Sequence, residues 1–271
     1  MPVTEPDGRL HHIAIRHGDV GRYVLLPGDP GRVEKIASRF DNARHVATNR
    51  EYVTWTGELD GVAVSCTSTG IGCPSTAIAV EELVGAGADT LIRVGTSGAM
   101  QPDIRTGDVG VITGGIRDEG TSRHYLPIEF PAVADIDVTI ALRDGARDAG
   151  IPFHLGVAQS KDSFYGQHEP DRMPVGPELR RRWDAWMAGG AICSEMEAAT
   201  LFIVASTLRV RAGGVMLIFQ NLDHARPTEE ELAAADVERV IDVAIAGLRR
   251  LIAADRASGR RMEVAAQGVP G

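Results

Sequence analysis

The chain of 271 residues has only three cysteines, Cys66, Cys73 and Cys193. They are too few and too irregularly spaced for a disulfide framework or a zinc knuckle, so a reducing compartment is expected. No apolar run approaches the length needed to cross a bilayer, and the opening MPVTEPDGRL has no apolar core of signal-peptide length. The expected location is the cytoplasm, with no membrane partner. Positive charge is also scarce: 28 Lys and Arg stand against 37 Asp and Glu, a net charge of -9. A nucleic-acid partner is not expected, because neutralising a phosphate backbone takes a clustered basic face. No HExxH or other spaced ligand set points to a transition metal. TGIGCPS lacks the Gly-Lys-Ser/Thr ending of a P-loop and is not GxGxxG, which sets aside nucleoside triphosphatases and standard dinucleotide enzymes.

The composition that remains, 44% hydrophobic and 24% charged, fits one globular domain with a large core. No repeat, Pro/Ser-rich linker or composition break divides it. Residues 1–256 read as one domain, and ASGRRMEVAAQGVPG, residues 257–271, lacks periodicity and reads as a frayed tail. Apolar runs bounded by glycine turns alternate with helical patterns. Strands are predicted at 23–26, 62–68, 90–95, 108–115, 155–160 and 213–220, and helices at 32–40, 76–87, 136–149, 195–208 and 228–254. This alternation implies an α/β fold, a sheet with helices on both faces.

Several segments carry chemistry at strand ends, where loop N–H groups and helix N-termini favour anions. In PGDPGR, Gly28 follows a strand and Arg32 opens a helix, so a backbone N–H and a guanidinium could meet one anion; the segment reads equally as a plain turn with Arg32 solvated. In IRVGTSGAM, Arg93 lies inside an apolar strand, a costly place for a permanent charge unless an anion or carboxylate meets it, and Thr96 lies just beyond. Arg50, in NREYVTW, means little alone. In SEMEAATLFIVAS, Glu195 and Glu197 stand at the head of an apolar helix with Ser194 as its expected N-cap. At least one of these acids is expected to face a polar pocket, and a ribose diol would suit it. KDSFYGQHEP offers the flat faces of Phe164 and Tyr165 and the two-sided amide of Gln167, the equipment for holding a planar heterocycle, although a surface loop with one packed aromatic is the plainer reading. His12 alone reads as an ordinary N-terminal histidine.

Together PGDPGRVEKIA, NREYVTW, STGIGCPSTAIAVEEL, IRVGTSGAM, DSFYGQ and SEMEAATL resemble the nucleoside phosphorylase family, specifically its uridine phosphorylase branch, from about His12 to Leu251. The resemblance implies a single-domain mixed β-sheet flanked by helices on both faces, and phosphorolysis of a nucleoside to ribose 1-phosphate and free base. Inorganic phosphate is then the co-substrate and no organic cofactor is needed. Carried over by position, Gly28, Arg32, Arg93 and Thr96 form the phosphate site, with Arg50 reaching in from a neighbouring subunit. Glu195, Met196 and Glu197 face the ribose, with His12 of the neighbour on the 5′ hydroxyl, and Phe164, Gln167 and His168 face the base. Arg93, Thr96 and Glu197 carry the catalytic weight. The resemblance also implies an obligate dimer assembled into a hexamer, a trimer of dimers. Glu51, Ile71 and Ser75 match positions that hold a monovalent cation, K⁺ being the candidate, at the dimer interface of some relatives.

Two departures bear on the base. Many uridine phosphorylases carry an arginine two positions after the base-binding glutamine, whereas His168 and Glu169 follow Gln167 here. Asp223 falls near the position where purine-specific relatives carry an aspartate, although its surroundings match that motif poorly and a turn residue is the plainer reading. A purine or broad-specificity phosphorylase is therefore the alternative, and a non-catalytic nucleoside-binding module is the alternative outside enzymes.

Overall fold

A computed structural model describes residues 2–221 and 228–259. The α/β architecture expected from the alternation of strands and helices is what the chain forms. In chain order the elements are β1 (Tyr23–Leu26), α1 (Gly31–Ala37), β2 (Asp41–Asn49), β3 (Tyr52–Leu59), β4 (Val62–Thr67), α2 (Cys73–Ala86), β5 (Thr90–Ala99), β6 (Val109–Asp118), β7 (Ala132–Val133), α3 (Ile136–Asp148), β8 (Phe153–Lys161), α4 (Phe164–His168), α5 (Gly176–Ala188), β9 (Cys193–Glu195), α6 (Ala198–Leu208), β10 (Arg211–Asn221), α7 (Glu229–Ala234) and α8 (Val237–Ser258).

The strands form one mixed sheet in the order β10-β6-β8-β9-β5-β1-β4-β3-β2, and β10 also pairs with β5. That extra pairing closes β5, β9, β8, β6 and β10 into a ring, while β1, β4, β3 and β2 extend from it as an open wing. Closure removes two sheet edges and draws the carboxyl ends of β5, β8 and β9 together. One face of the sheet packs against α2 and α6, the other against α1, α3 and α8. On the first face, Ala198 to Ala205 are all buried, so α6 is apolar on every side. On the second, α3 and α8 cross closely because both carry glycine at the crossing: a Cβ on Gly145 would sit 2.5 Å from the Gly247 amide nitrogen.

The sequence expectations need four corrections. Ser194 is not a helix cap: it lies in β9, and Glu195 ends that strand. The residue at the N-cap of α6 is Glu197, with φ −141° and ψ −25°. The helix expected over 228–254 is two helices, because Asp236 stops in an extended conformation and its side chain accepts the Glu238 N–H to start α8. Of the 257–271 tail, Ala257 and Ser258 belong to α8, which ends on left-handed Gly259 at φ 65°; residues 260–271 lie outside the described residues. The helix α5, GPELRRRWDAWMA, has no counterpart among the expected helices because, of its residues, only Gly176 is buried and no apolar stripe marks it. Among the described residues no helix is long and apolar enough to cross a membrane.

Candidate active site

Arg93 is the fourth of β5's ten residues and the hub of the site, buried with 6% of its surface exposed. Its Nε donates to Glu195 Oε2 at 2.9 Å, and its Nη2 pairs with Glu197 Oε2. The third nitrogen, Nη1, is buried and has no hydrogen-bond partner. A buried guanidinium N–H without an acceptor is costly, so this atom marks where an anion belongs.

The two glutamates differ. Glu195 is saturated: besides Arg93 it accepts the backbone N–H of Glu197 at 2.8 Å, that of Ala198 at 3.0 Å, and the Ser160 hydroxyl. It therefore clamps the start of α6 to β5 and β8. Glu197 accepts the Gly72 N–H at 2.5 Å through Oε1. Burial pushes its carboxyl above the usual range, with the Arg93 guanidinium opposing. Met196, half-buried between them, accepts from Cys73 Sγ at 3.1 Å through its carbonyl.

Arg32, at the first turn of α1, donates from Nη1 to the Val94 carbonyl at 3.0 Å. Burial and the neighbouring Arg93 guanidinium lower its pKa. Two cations held close together in a desolvated place are stabilised by a bound anion. Gly28 leaves the approach clear: a Cβ there would lie 3.1 Å from the Gly70 carbonyl oxygen and 3.9 Å from Arg93 Nη1. Thr96, three residues beyond Arg93 on β5, is half-buried. The TGIGCPS loop supplies Gly70 and Gly72 at φ 70° and 93°, a left-handed path open to glycine, before α2 begins.

Beyond β9 the chain makes a second compartment. Because side chains alternate along a strand, Glu195 faces Arg93 whereas Ser194 turns to Gln159 and Lys161, which line a cavity of about 430 Å³ between the end of β8, α4 and α5. Gln167 and His168 line this cavity. Gln167 sits on α4, which Ser163 caps by accepting the Gly166 N–H at 2.9 Å. Phe164 is half-exposed, with its ring 4.1 Å from that of His168. Burial, followed by the nearby Lys161 ammonium, lowers the His168 pKa, which disfavours the imidazolium. Glu169 is exposed and turns away to pair with Arg172.

The remaining predicted residues lie outside this cluster within one chain. Arg50 is exposed at the tip of the β2–β3 hairpin with φ 54°. His12 pairs through Nδ1 with Glu82 at 2.6 Å, and its carbonyl accepts from Asn49, next to Arg50. Glu51, Ile71 and Ser75 gather around Gly70: a Cβ there would meet Glu51 Cγ at 2.8 Å and Ser75 Oγ at 3.5 Å, and Ser75 Oγ donates to the Ile71 carbonyl. Asp223 lies outside the described residues. Ser160 and Lys161, which the sequence did not single out, also enter the site, and Ser194 enters it as a strand residue in place of the helix cap expected of it. The signal for Lys161 is weaker than that for Arg93: it closes the strand FHLGVAQSK at its end, whereas Arg93 lies inside one.

A buried guanidinium with an open N–H beside the half-buried one of Arg32, the carboxylates Glu195 and Glu197 and an aromatic-rimmed cavity form an α/β site whose chemistry suits a small oxyanion. The chain belongs to the phosphorylase superfamily, whose family model matches residues 22–254. It is 52% identical over 245 residues to a uridine phosphorylase of Treponema pallidum, covering 90% of this chain and 95% of that protein. It is 48% identical over 244 residues to a uridine phosphorylase of Thermococcus kodakarensis, covering 88% of each. A guanosine phosphorylase of Halorubrum lacusprofundi is 39% identical over 241 residues, covering 86% of this chain and 95% of that protein.

Proposed function

We propose that the protein is a uridine phosphorylase, converting uridine and phosphate to uracil and ribose 1-phosphate. The observation that carries this reading is the buried, unpartnered Nη1 of Arg93 beside Gly28 and Arg32. Water as nucleophile gives no reason to build such a place; phosphate does. Uridine phosphorylases among the relatives supply the base.

In this mechanism Gly28, Arg32, Arg93 and Thr96 pin phosphate below the sugar. As the C1′–N1 bond stretches, positive charge builds on the ribose ring, and the held phosphate dianion both stabilises it and forms the new C1′–O bond. Glu197 accepts from the ribose diol, with Met196 packed on the ring. Glu195 acts on the sugar side through its hold on Arg93 and on the Glu197 backbone. Phe164 and Gln167 hold the base, Gln167 reading the amide edge of the pyrimidine.

The working unit in this reading is a dimer, assembled into a hexamer, in which Arg50 and His12 of one subunit complete the site of the next. The exposure of Arg50, and the place of half-buried His12 against its neighbour Asn49, support it. Glu51, the Ile71 carbonyl and Ser75 offer hard oxygen ligands suited to K⁺ at that interface, where the ion would tie the subunits together. No organic cofactor takes part, and the setting is cytoplasmic salvage or catabolism of nucleosides. A panel of uridine, thymidine, inosine, guanosine and adenosine, each with and without phosphate, tests the reading. Phosphate-dependent release of uracil from uridine is expected; intact uridine beside cleaved guanosine would move the protein to the purine branch.

A further inference from the structure

The arginine that the family resemblance implies two positions after Gln167 is replaced here by Glu169, and a buried lysine stands nearby. Lys161 ends β8 with 5% of its surface exposed. No carboxylate lies within ion-pair distance of its ammonium among the described residues. Its Nζ donates to Ser194 Oγ at 2.7 Å. Ser194 donates in turn to Gln159 Oε1 at 2.7 Å, and Gln159 Nε2 donates to Asp118 Oδ2 at 2.8 Å. Asp118 also pairs with Arg182.

This chain runs in one direction, from ammonium to carboxylate. It fixes Lys161 Nζ while using one of its three N–H groups, so two remain for the cavity that Lys161, Gln167 and His168 share. Because Ser194 gives its hydrogen to Gln159, the Gln167 amide, whose Oε1 lies 3.2 Å from Ser194 Oγ, is free to turn to a ligand. The other cations on this cavity are committed: Arg182 to Asp118, and Arg180 to Asp171. His168 is held towards its neutral form by burial and by Lys161 itself. An ammonium stripped of water with no carboxylate against it is unfavourable unless the ligand brings negative charge.

Resting on the reading of the site as a uridine phosphorylase, we infer that Lys161 is the catalytic cation for the leaving base, placed by the Ser194–Gln159–Asp118 chain. When the C1′–N1 bond breaks, its electron pair leaves with uracil and spreads over N1 and the two ring carbonyl oxygens. Lys161 meets that charge by donating a hydrogen bond to a carbonyl oxygen while keeping its proton. The phosphate oxygen completes the exchange at C1′, and the uracil anion takes its proton from water after release. The arginine's task is thus moved from the helix after β8 to the last residue of β8 itself.

The test compares uridine with 5-fluorouridine, whose base leaves more readily as an anion, at saturating phosphate. Lys161→Met is expected to lower kcat on uridine by roughly 10²-fold, the size of losing one transition-state donor, and to lower it by only about 10-fold on 5-fluorouridine, whose leaving group needs that donor less. The KM for phosphate stays within about twofold, because the anion site of Arg32 and Arg93 is untouched. Ser194→Ala keeps the charge and removes its anchor, so it should give the same preference for 5-fluorouridine with a smaller loss; it decides the matter should Lys161→Met fail to fold. Equal losses on the two nucleosides, or turnover of uridine unchanged in both variants, overturn the inference while the wild-type reaction still stands. A wild-type protein that leaves uridine intact in phosphate overturns the underlying reading instead.

Discussion

Replacing Arg93 by lysine separates phosphate binding from the structural task of the same side chain. The guanidinium points three ways: Nε to Glu195, Nη2 to Glu197, and Nη1 to the open anion site. Removing the charge outright, as alanine would, strands two buried carboxylates and costs about 3–5 kcal/mol of stability, which would blur the result. Lysine keeps the charge, and the two glutamates draw its single nitrogen towards themselves. What is lost is the Nη1 contact. One charge-assisted hydrogen bond is worth about 1.5–3 kcal/mol, which converts to roughly a 10- to 150-fold fall in kcat/KM for phosphate. Initial rates of base release are measured across a phosphate series at saturating uridine, and then across a uridine series at saturating phosphate. The loss should appear in the phosphate series. An unchanged phosphate dependence, with the whole deficit in the uridine series, would refute the placement of the anion at Nη1.

Glu197→Gln retains the acceptor for the Gly72 N–H but gives up the charge that a ribose diol would meet; kcat/KM for uridine should fall towards that for 2′-deoxyuridine, and an unaltered ratio would count against the ribose assignment. Gly145→Ala puts a methyl group 2.5 Å from the Gly247 amide nitrogen, so thermal unfolding should show destabilisation of about 1–3 kcal/mol from overpacking. Asp255 is buried, which raises its pKa, but hydrogen bonds from Arg211 and Tyr23 outweigh this and hold it below the ordinary 3.8. A depressed carboxylate contributes stability above its unfolded value that is lost as pH falls through the folded one. Denaturant titrations of wild type should therefore lose stability below about pH 4, and Asp255→Asn should be less stable at neutral pH with a flatter acid limb; parallel curves would contradict this.

The elements legible in the sequence were those set by local periodicity, and those missed were set by tertiary contact. The apolar runs of β1, β5 and β10 and the glycines around α2 announced themselves, and so did the buried charge of Arg93. The partner of that charge is harder to read, because Glu195 and Glu197 look equivalent in the sequence and are distinguished only because β9 ends at Glu195 and α6 starts after Glu197. Strand β9 is three residues long, too short for a period to register. Ring closure through the β10–β5 pairing joins segments more than a hundred residues apart and leaves no local trace. Lys161 shows the same limit: its place at the end of β8, hydrogen-bonded to Ser194 of β9, is a tertiary fact with no trace in the local sequence.

The most direct test is to follow the fate of the sugar by phosphorus NMR during incubation of the protein with uridine and inorganic phosphate. A new sugar-phosphate resonance, growing in step with free uracil and identified as ribose 1-phosphate, is the predicted result. Uracil accompanied by free ribose, with the phosphate signal unchanged, would contradict phosphorolysis.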